Sequence, residues 1–116
     1  MTRKKRIYCA GPYSQGNPLL NVQWAIFTGN LLMDKGFHPF IPHLSHYWDQ
    51  VQVRAYEDWM EWCLNWVSCC DALLRIPGIS PGSDREVLRA GELKLPVYFS
   101  VDDLIKSESP TVEVAA

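Results

Sequence analysis

The stretch from Asp71 to Ala90, DALLRIPGISPGSDREVLRA, constrains this chain more than any other. Ala72 to Ile76 is a short apolar run of the length of a buried strand. Pro77 and Gly78 stop it, and Ser80-Pro81-Gly82-Ser83 makes a turn. Beyond the turn Val87, Leu88 and Leu95 mark the apolar side of a helix, with the small residues Ala90 and Gly91 among them. Strand, Gly/Ser loop and helix together are the building unit of a parallel α/β sheet. A helix that starts behind such a loop turns unpaired N–H groups and the positive end of its dipole toward a phosphate or carboxylate. Glu86 falls in the first turn on this reading. Ser83-Asp84-Arg85-Glu86 also fits a capping box, in which Ser83 and Glu86 satisfy each other's backbone donors. The same residues thus admit a structural and a functional reading, and the rest of the chain has to decide.

The unit recurs. Arg6 to Ala10 is a strand ended by Gly11-Pro12, and Tyr13 to Pro18 is dense in turn formers. Leu19 to Lys35 carries Leu20, Trp24, Phe27, Leu31 and Leu32 at helical spacing, widened by Val22 and Ile26, until Gly36 stops it. Residues 37–41 form a second strand, which Pro39 places at a sheet edge. Pro42 to Gln52 reads as a loop in which His43, Ser45, His46, Tyr47, Trp48 and Asp49 crowd together, as the wall of a small-molecule pocket or a covered sheet edge. Arg54 to Cys69 is a helix with Tyr56, Trp59, Cys63, Trp66, Val67 and Cys70 on one face. Asp58, Glu61, Trp62 and Asn65 lie on the other. Residues 95–99 make a fourth strand, and 100–104 a short capped helix. The expected fold is an α/β three-layer sandwich with a mostly parallel four- or five-stranded sheet, Rossmann-like or flavodoxin-like. It occupies residues 1–106 as one domain, with 107–116 a flexible tail.

A net charge of −2 argues against a duplex nucleic-acid partner, and Arg3-Lys4-Lys5-Arg6 is too short to reverse that. That run reads as a solvated lead-in to the first strand. The four cysteines, Cys9, Cys63, Cys69 and Cys70, sit in apolar stretches without paired C-x-x-C spacing. They read as buried thiols of a cytoplasmic protein. His43 and His46 have no further ligand at a convincing spacing, so no metal is expected. No apolar stretch is long enough to span a bilayer, so no membrane partner is expected either.

In parallel sheets, ligands sit beyond the carboxyl ends of the strands. The loops Gly11–Gly16, His43–Asp49 and Gly78–Ser83 all leave those ends, so three unusual loops are expected on one rim. Tyr8 and Glu86 are expected to face the same cleft.

Three segments, Ile7-Tyr8-Cys9-Ala10-Gly11-Pro12-Tyr13-Ser14, Cys70-Asp71-Ala72-Leu73, and Ser80-Pro81-Gly82-Ser83-Asp84-Arg85-Glu86 with Ala90, stand in an order and spacing similar to those of one family. Together they resemble the nucleoside 2-deoxyribosyltransferase-like superfamily, in particular its short branch of bacterial and phage proteins. The resemblance covers about the first hundred residues. It implies cleavage or transfer of the N-glycosidic bond of a (deoxy)nucleoside or (deoxy)nucleotide, without a cofactor. Glu86 would be the nucleophile at the anomeric carbon and Tyr8 its hydrogen-bond partner. Gly11, Pro12, Tyr13 and Ser14, with Ser80, Gly82 and Ser83, would line the sugar or 5′-phosphate end. A helix start is expected to keep Glu86 ionised. The resemblance also implies a homodimer or larger homo-oligomer, with a neighbour closing the cleft.

One departure stands out. The family carries an aspartate eight residues before the strand's own aspartate, and the position counted back from Asp71 is Cys63. Asp58 or Asp49 could replace it as the acid. That loss keeps two other readings open: a non-catalytic nucleotide or sugar-phosphate binding protein on the same fold, and an interaction protein using exposed Trp and Tyr.

Overall fold

The computed structural model describes residues 1–115. Its centre follows from two stretches buried on both faces, Ile7–Ala10 in β2 (Arg6–Ala10) and Ala72–Leu74 in β4 (Ala72–Arg75). Strands buried on both sides belong inside a sheet covered by helices. They pair in parallel, with Ile7 beside Ala72, Tyr8 beside Leu73 and Ala10 beside Arg75. β3 (His38–Phe40) and β5 (Val97–Tyr98) complete a parallel four-stranded sheet in the order β3-β2-β4-β5. Pro39, which has no N–H to give a further strand, accordingly lies on an edge.

Alternation along the strands divides the core into two layers. Ile7, Cys9, Ala72 and Leu74 point to one side, onto Leu32 of α1 (Pro18–Asp34), Phe37, and Leu104 of α5 (Val101–Ser107). Tyr8, Ala10 and Leu73 point to the other, onto Cys63 and Val67 of α3 (Tyr56–Val67) and Ala90 of α4 (Pro81–Glu92). The result is the expected α/β sandwich.

α1 starts where Asn17 Oδ1 accepts from the N–H groups of Leu19 and Leu20, with Pro18 at the first helical position. Its buried face is Val22, Ala25, Gly29 and Leu32. The larger stripe read from the sequence, Leu20, Trp24, Phe27 and Leu31, is exposed. The sheet takes the side with small residues because the approach is close: a Cβ on Gly29 would lie 2.5 Å from Ile41 Cδ1.

Four local expectations need correction. Residues 45–51 form a helix, α2 (Ser45–Val51), behind a 3₁₀ turn at Pro42–Leu44, where a loop was expected. α2 has no side-chain cap and no buried residue, so it left no start signal or core stripe to read. The basic lead-in is not merely solvated: it holds β1 (Thr2–Lys4), and Arg3 makes a two-pronged bond to Asp71, at 2.7 and 2.9 Å. The segment expected to be a loose tail contains β6 (Thr111–Glu113), antiparallel to β1. Lys5 fastens that segment, giving its backbone N–H to Pro110 O and its ammonium to Glu108 at 2.9 Å. Ala116, the last residue assigned to the tail, lies outside the described residues. Finally, Cys9, Cys63 and Cys70 are buried but Cys69 is exposed, just past the C-cap of α3; all four are free thiols.

Candidate active site

β2 and β4 are neighbours, but the chain leaves β2 toward β3 and leaves β4 toward β5. The loops after them therefore diverge and open a crevice at the carboxyl end of the sheet. The base of the crevice is tightly closed. Gly78 has φ +124°, and a Cβ there would lie 2.6 Å from Pro12 Cγ; one on Gly11 would lie 2.8 Å from Ile76 Cβ. Only glycine lets these two loops meet. Arg75, nine-tenths buried at the end of β4, braces the second loop through the carbonyls of Ile76 and Gly78 and through Asp84 on α4.

The crevice is a cavity of about 430 Å³. The first loop contributes Gly11, Tyr13, Ser14 and Gln15. The second contributes Pro42, His43, Ser45, His46 and Asp49, and the third Ser80 to Ser83 with Glu86. α3 closes the remaining side with Tyr56, Trp59, Met60 and Cys63.

The start of α4 differs from the capping box read in the sequence. Ser80 is the cap: its Oγ accepts the N–H of Ser83 at 3.1 Å and donates to Ser83 Oγ at 2.8 Å. Pro81 is the first helical residue, which moves Glu86 into the second turn. There it caps nothing. Its side chain is buried and accepts a hydrogen bond from Tyr8 Oη.

Burial also reverses the expectation that the helix start keeps Glu86 ionised. Desolvation pushes its carboxyl up to about 7, while hydrogen bonds from Tyr8 and Cys63, and the nearby charges of Arg75 and Arg85, oppose a further rise. Burial likewise pushes the Cys63 thiol up to about 12, and burial together with the Glu86 charge pushes the Tyr8 phenol well above its usual value. Both neighbours are therefore donors, and the carboxyl is the member of the trio that titrates near neutrality.

The opposite wall is polar and aromatic. Tyr13 Oη lies 2.5 Å from His46 Nδ1, whose other nitrogen is 3.0 Å from Gln50 Nε2. Asp49 accepts from Trp59 Nε1 at 2.8 Å and from the Arg54 N–H at 3.0 Å, and these two bonds hold its carboxyl below the usual range. Trp59 packs edge-on against Trp48 and Trp62. His43 Nε2 donates to the carbonyls of Gly11 and Pro12, 3.1 Å from each, and burial lowers its pKa, so it is a neutral brace for the first loop. Among the described residues, no three His, Cys, Asp or Glu side chains form a set that could hold a metal.

Gly11, Tyr13, Ser14, Asp49, Ser80, Gly82, Ser83 and Glu86 thus all line one cavity, with Tyr8 directly behind Glu86. Two candidates do not. Pro12 turns to a neighbouring depression beside Trp24 and Ile76. Asp58 is exposed on the far face of α3, in a shallow dip with Arg54, Glu61 and Asn65. Of the two carboxylates considered as stand-ins at Cys63, only Asp49 reaches the cavity. Arg75, Trp59 and Met60 were missed, whereas His43 was read as pocket wall and does line the cavity. An arginine inside an apolar strand run was the one signal that could have found Arg75.

No protein-family model and no curated protein matches this sequence. Among solved structures, the chain is similar to 2-desoxiribosyltransferase from Leishmania mexicana, with a TM-score of 0.61 at 21% identity. The two share a fold. The likeness covers 80% of this chain but 61% of that one, so the present chain spans less than two thirds of the enzyme's length.

Proposed function

We propose that this protein breaks the N-glycosidic bond of a (deoxy)nucleoside or (deoxy)nucleotide, releasing the base or passing the sugar to an acceptor, with Glu86 as nucleophile. The observation that carries this reading is the buried Tyr8–Glu86 pair, 78 residues apart in sequence, at the edge of a cavity built by three loops. A carboxylate with its orientation fixed by a phenol is suited to attack an anomeric carbon. One Glu86 oxygen bonds to C1′ as the C1′–N bond breaks, and the departing base takes its proton from the cavity wall. Water or an acceptor base then releases the sugar. Tyr13, His46 and ionised Asp49 supply donors and an acceptor along that wall, while Trp59 and Tyr56 offer flat apolar surface to a base. Ser80, Gly82 and Ser83 form the polar end for the sugar or its phosphate. The fold shared with a deoxyribosyltransferase agrees with this reading.

The test is incubation with a panel of deoxynucleosides and deoxynucleotides, with free base read by chromatography. Wild type is expected to release base. Glu86→Gln is expected to lower the rate by on the order of a thousandfold or more while keeping the fold, as removal of a nucleophile does. Turnover by Glu86→Gln at the wild-type rate would overturn the assignment. Cys63, where the resemblance calls for an aspartate, favours a second reading, a nucleotide-binding protein without turnover; binding by calorimetry with no base released by any substrate would select it.

A further inference from the structure

Charge in the cavity runs one way. Asp49 and Glu86 line it, and among the described residues no lysine or arginine does. The guanidinium groups that act on Glu86 are each tied to another carboxylate. Arg85 bonds both oxygens of Glu57, at 2.8 and 3.1 Å, and Arg75 bonds Asp84 and two carbonyls. Trp59, joined to Asp49 through its Nε1–H at 2.8 Å, adds aromatic surface next to that charge, and the ring faces of tryptophan attract cations.

The cavity is also poor in acids. Asp49 is held ionised by the N–H groups of Trp59 and Arg54. The one proton of the neutral His43 ring is spent on two backbone carbonyls. Both ring nitrogens of His46 are engaged, by Tyr13 Oη and Gln50 Nε2. Burial and the Asp49 charge raise the Tyr13 phenol, and burial raises the Cys63 thiol to about 12. Glu86 itself has to be ionised to attack. A base that departs with the bonding electrons and no proton leaves readily only if it starts out positively charged.

We infer that the cavity takes a nucleoside whose base carries a positive charge, an N-ribosylpyridinium or an N7-alkylated purine nucleoside. Its cleavage rests on the reading of Glu86 as nucleophile; its binding rests on the charge and aromatic surface of the cavity alone. Glu86 bonds to C1′ as the C1′–N bond breaks, and the electron pair of that bond passes to the ring nitrogen, cancels the positive charge and frees a neutral base. Water then adds to C1′, Glu86 departs as the carboxylate, and one proton goes to solvent.

The test pairs nicotinamide riboside, a cation, with its 1,4-dihydro form, which has nearly the same size and no charge. Binding to Glu86→Gln by calorimetry separates affinity from turnover. The cation is expected to bind about tenfold or more tightly, and Asp49→Asn in the same background to bring the ratio near one. Equal affinity, preference for the dihydro form, or binding of neither overturns the inference. Should Glu86→Gln not fold, 1-methylnicotinamide and its dihydro form, which hold no glycosidic bond, are compared on wild type. In turnover, wild type is expected to accelerate release of nicotinamide over the uncatalysed rate more than release of base from neutral nucleosides; the reverse order also overturns it. Release by Glu86→Gln at the wild-type rate overturns the nucleophile instead, and leaves the preference for a cation standing.

Discussion

Glu86 carries a measurable signature. As the proposed nucleophile it must be deprotonated, so on that proposal base release is expected to rise with pH through a limb near 7 and level off above it. Tyr8→Phe removes a hydrogen bond that favours the carboxylate form, so the limb should move to higher pH and the rate at pH 7 should fall. A residue that only packs the strand would leave the limb in place. Stability gives a second check with a definite sign. A carboxyl raised from 4.5 to about 7 in the folded state contributes stability that is fully present below about 4.5 and is lost as pH rises through 7. By pH 8 that loss is about 3 kcal/mol. Glu86→Gln, which never ionises, should therefore gain melting temperature relative to wild type as pH goes from 5 to 8; a constant difference would mean that Glu86 titrates normally.

The elements were legible in proportion to their local punctuation. The strands around Tyr8 and Leu73 were bracketed by glycine and proline and came through. Sequence misplaced the start of α4 because Ser83-x-x-Glu86 imitates a capping box, whereas Pro81 at the first helical position makes Ser80 the cap. It missed α2, which has neither cap nor buried stripe. The loops after β2 and β4 were recognised as loops, but their contact was not, because it depends on a backbone approach at Gly78. Gly78→Ala tests that approach. With φ +124° and a Cβ 2.6 Å from Pro12, the variant is expected to lose about 1–3 kcal/mol by chemical denaturation and to weaken ligand binding.

At the scale of the whole molecule, sequence brought the three loops to one end of the sheet, where the cavity lies, because parallel topology alone dictates where loops gather. It could not choose between Asp49 and Asp58, since that depends on which face of α3 meets the sheet. Nor could it foresee that β6 returns to β1, a pairing of residues more than a hundred positions apart. The strands β1 and β6 set Thr2 beside Glu113, on the side where Arg3 reaches Asp71 at the start of β4 and away from the cavity. Residues 2 and 113 are thus neighbours in space, and the chain between them can be opened elsewhere without unpicking the sheet. A circular permutant that joins the present ends through a short Gly/Ser bridge and opens between Lys94 and Leu95 is expected to fold with the same circular dichroism spectrum.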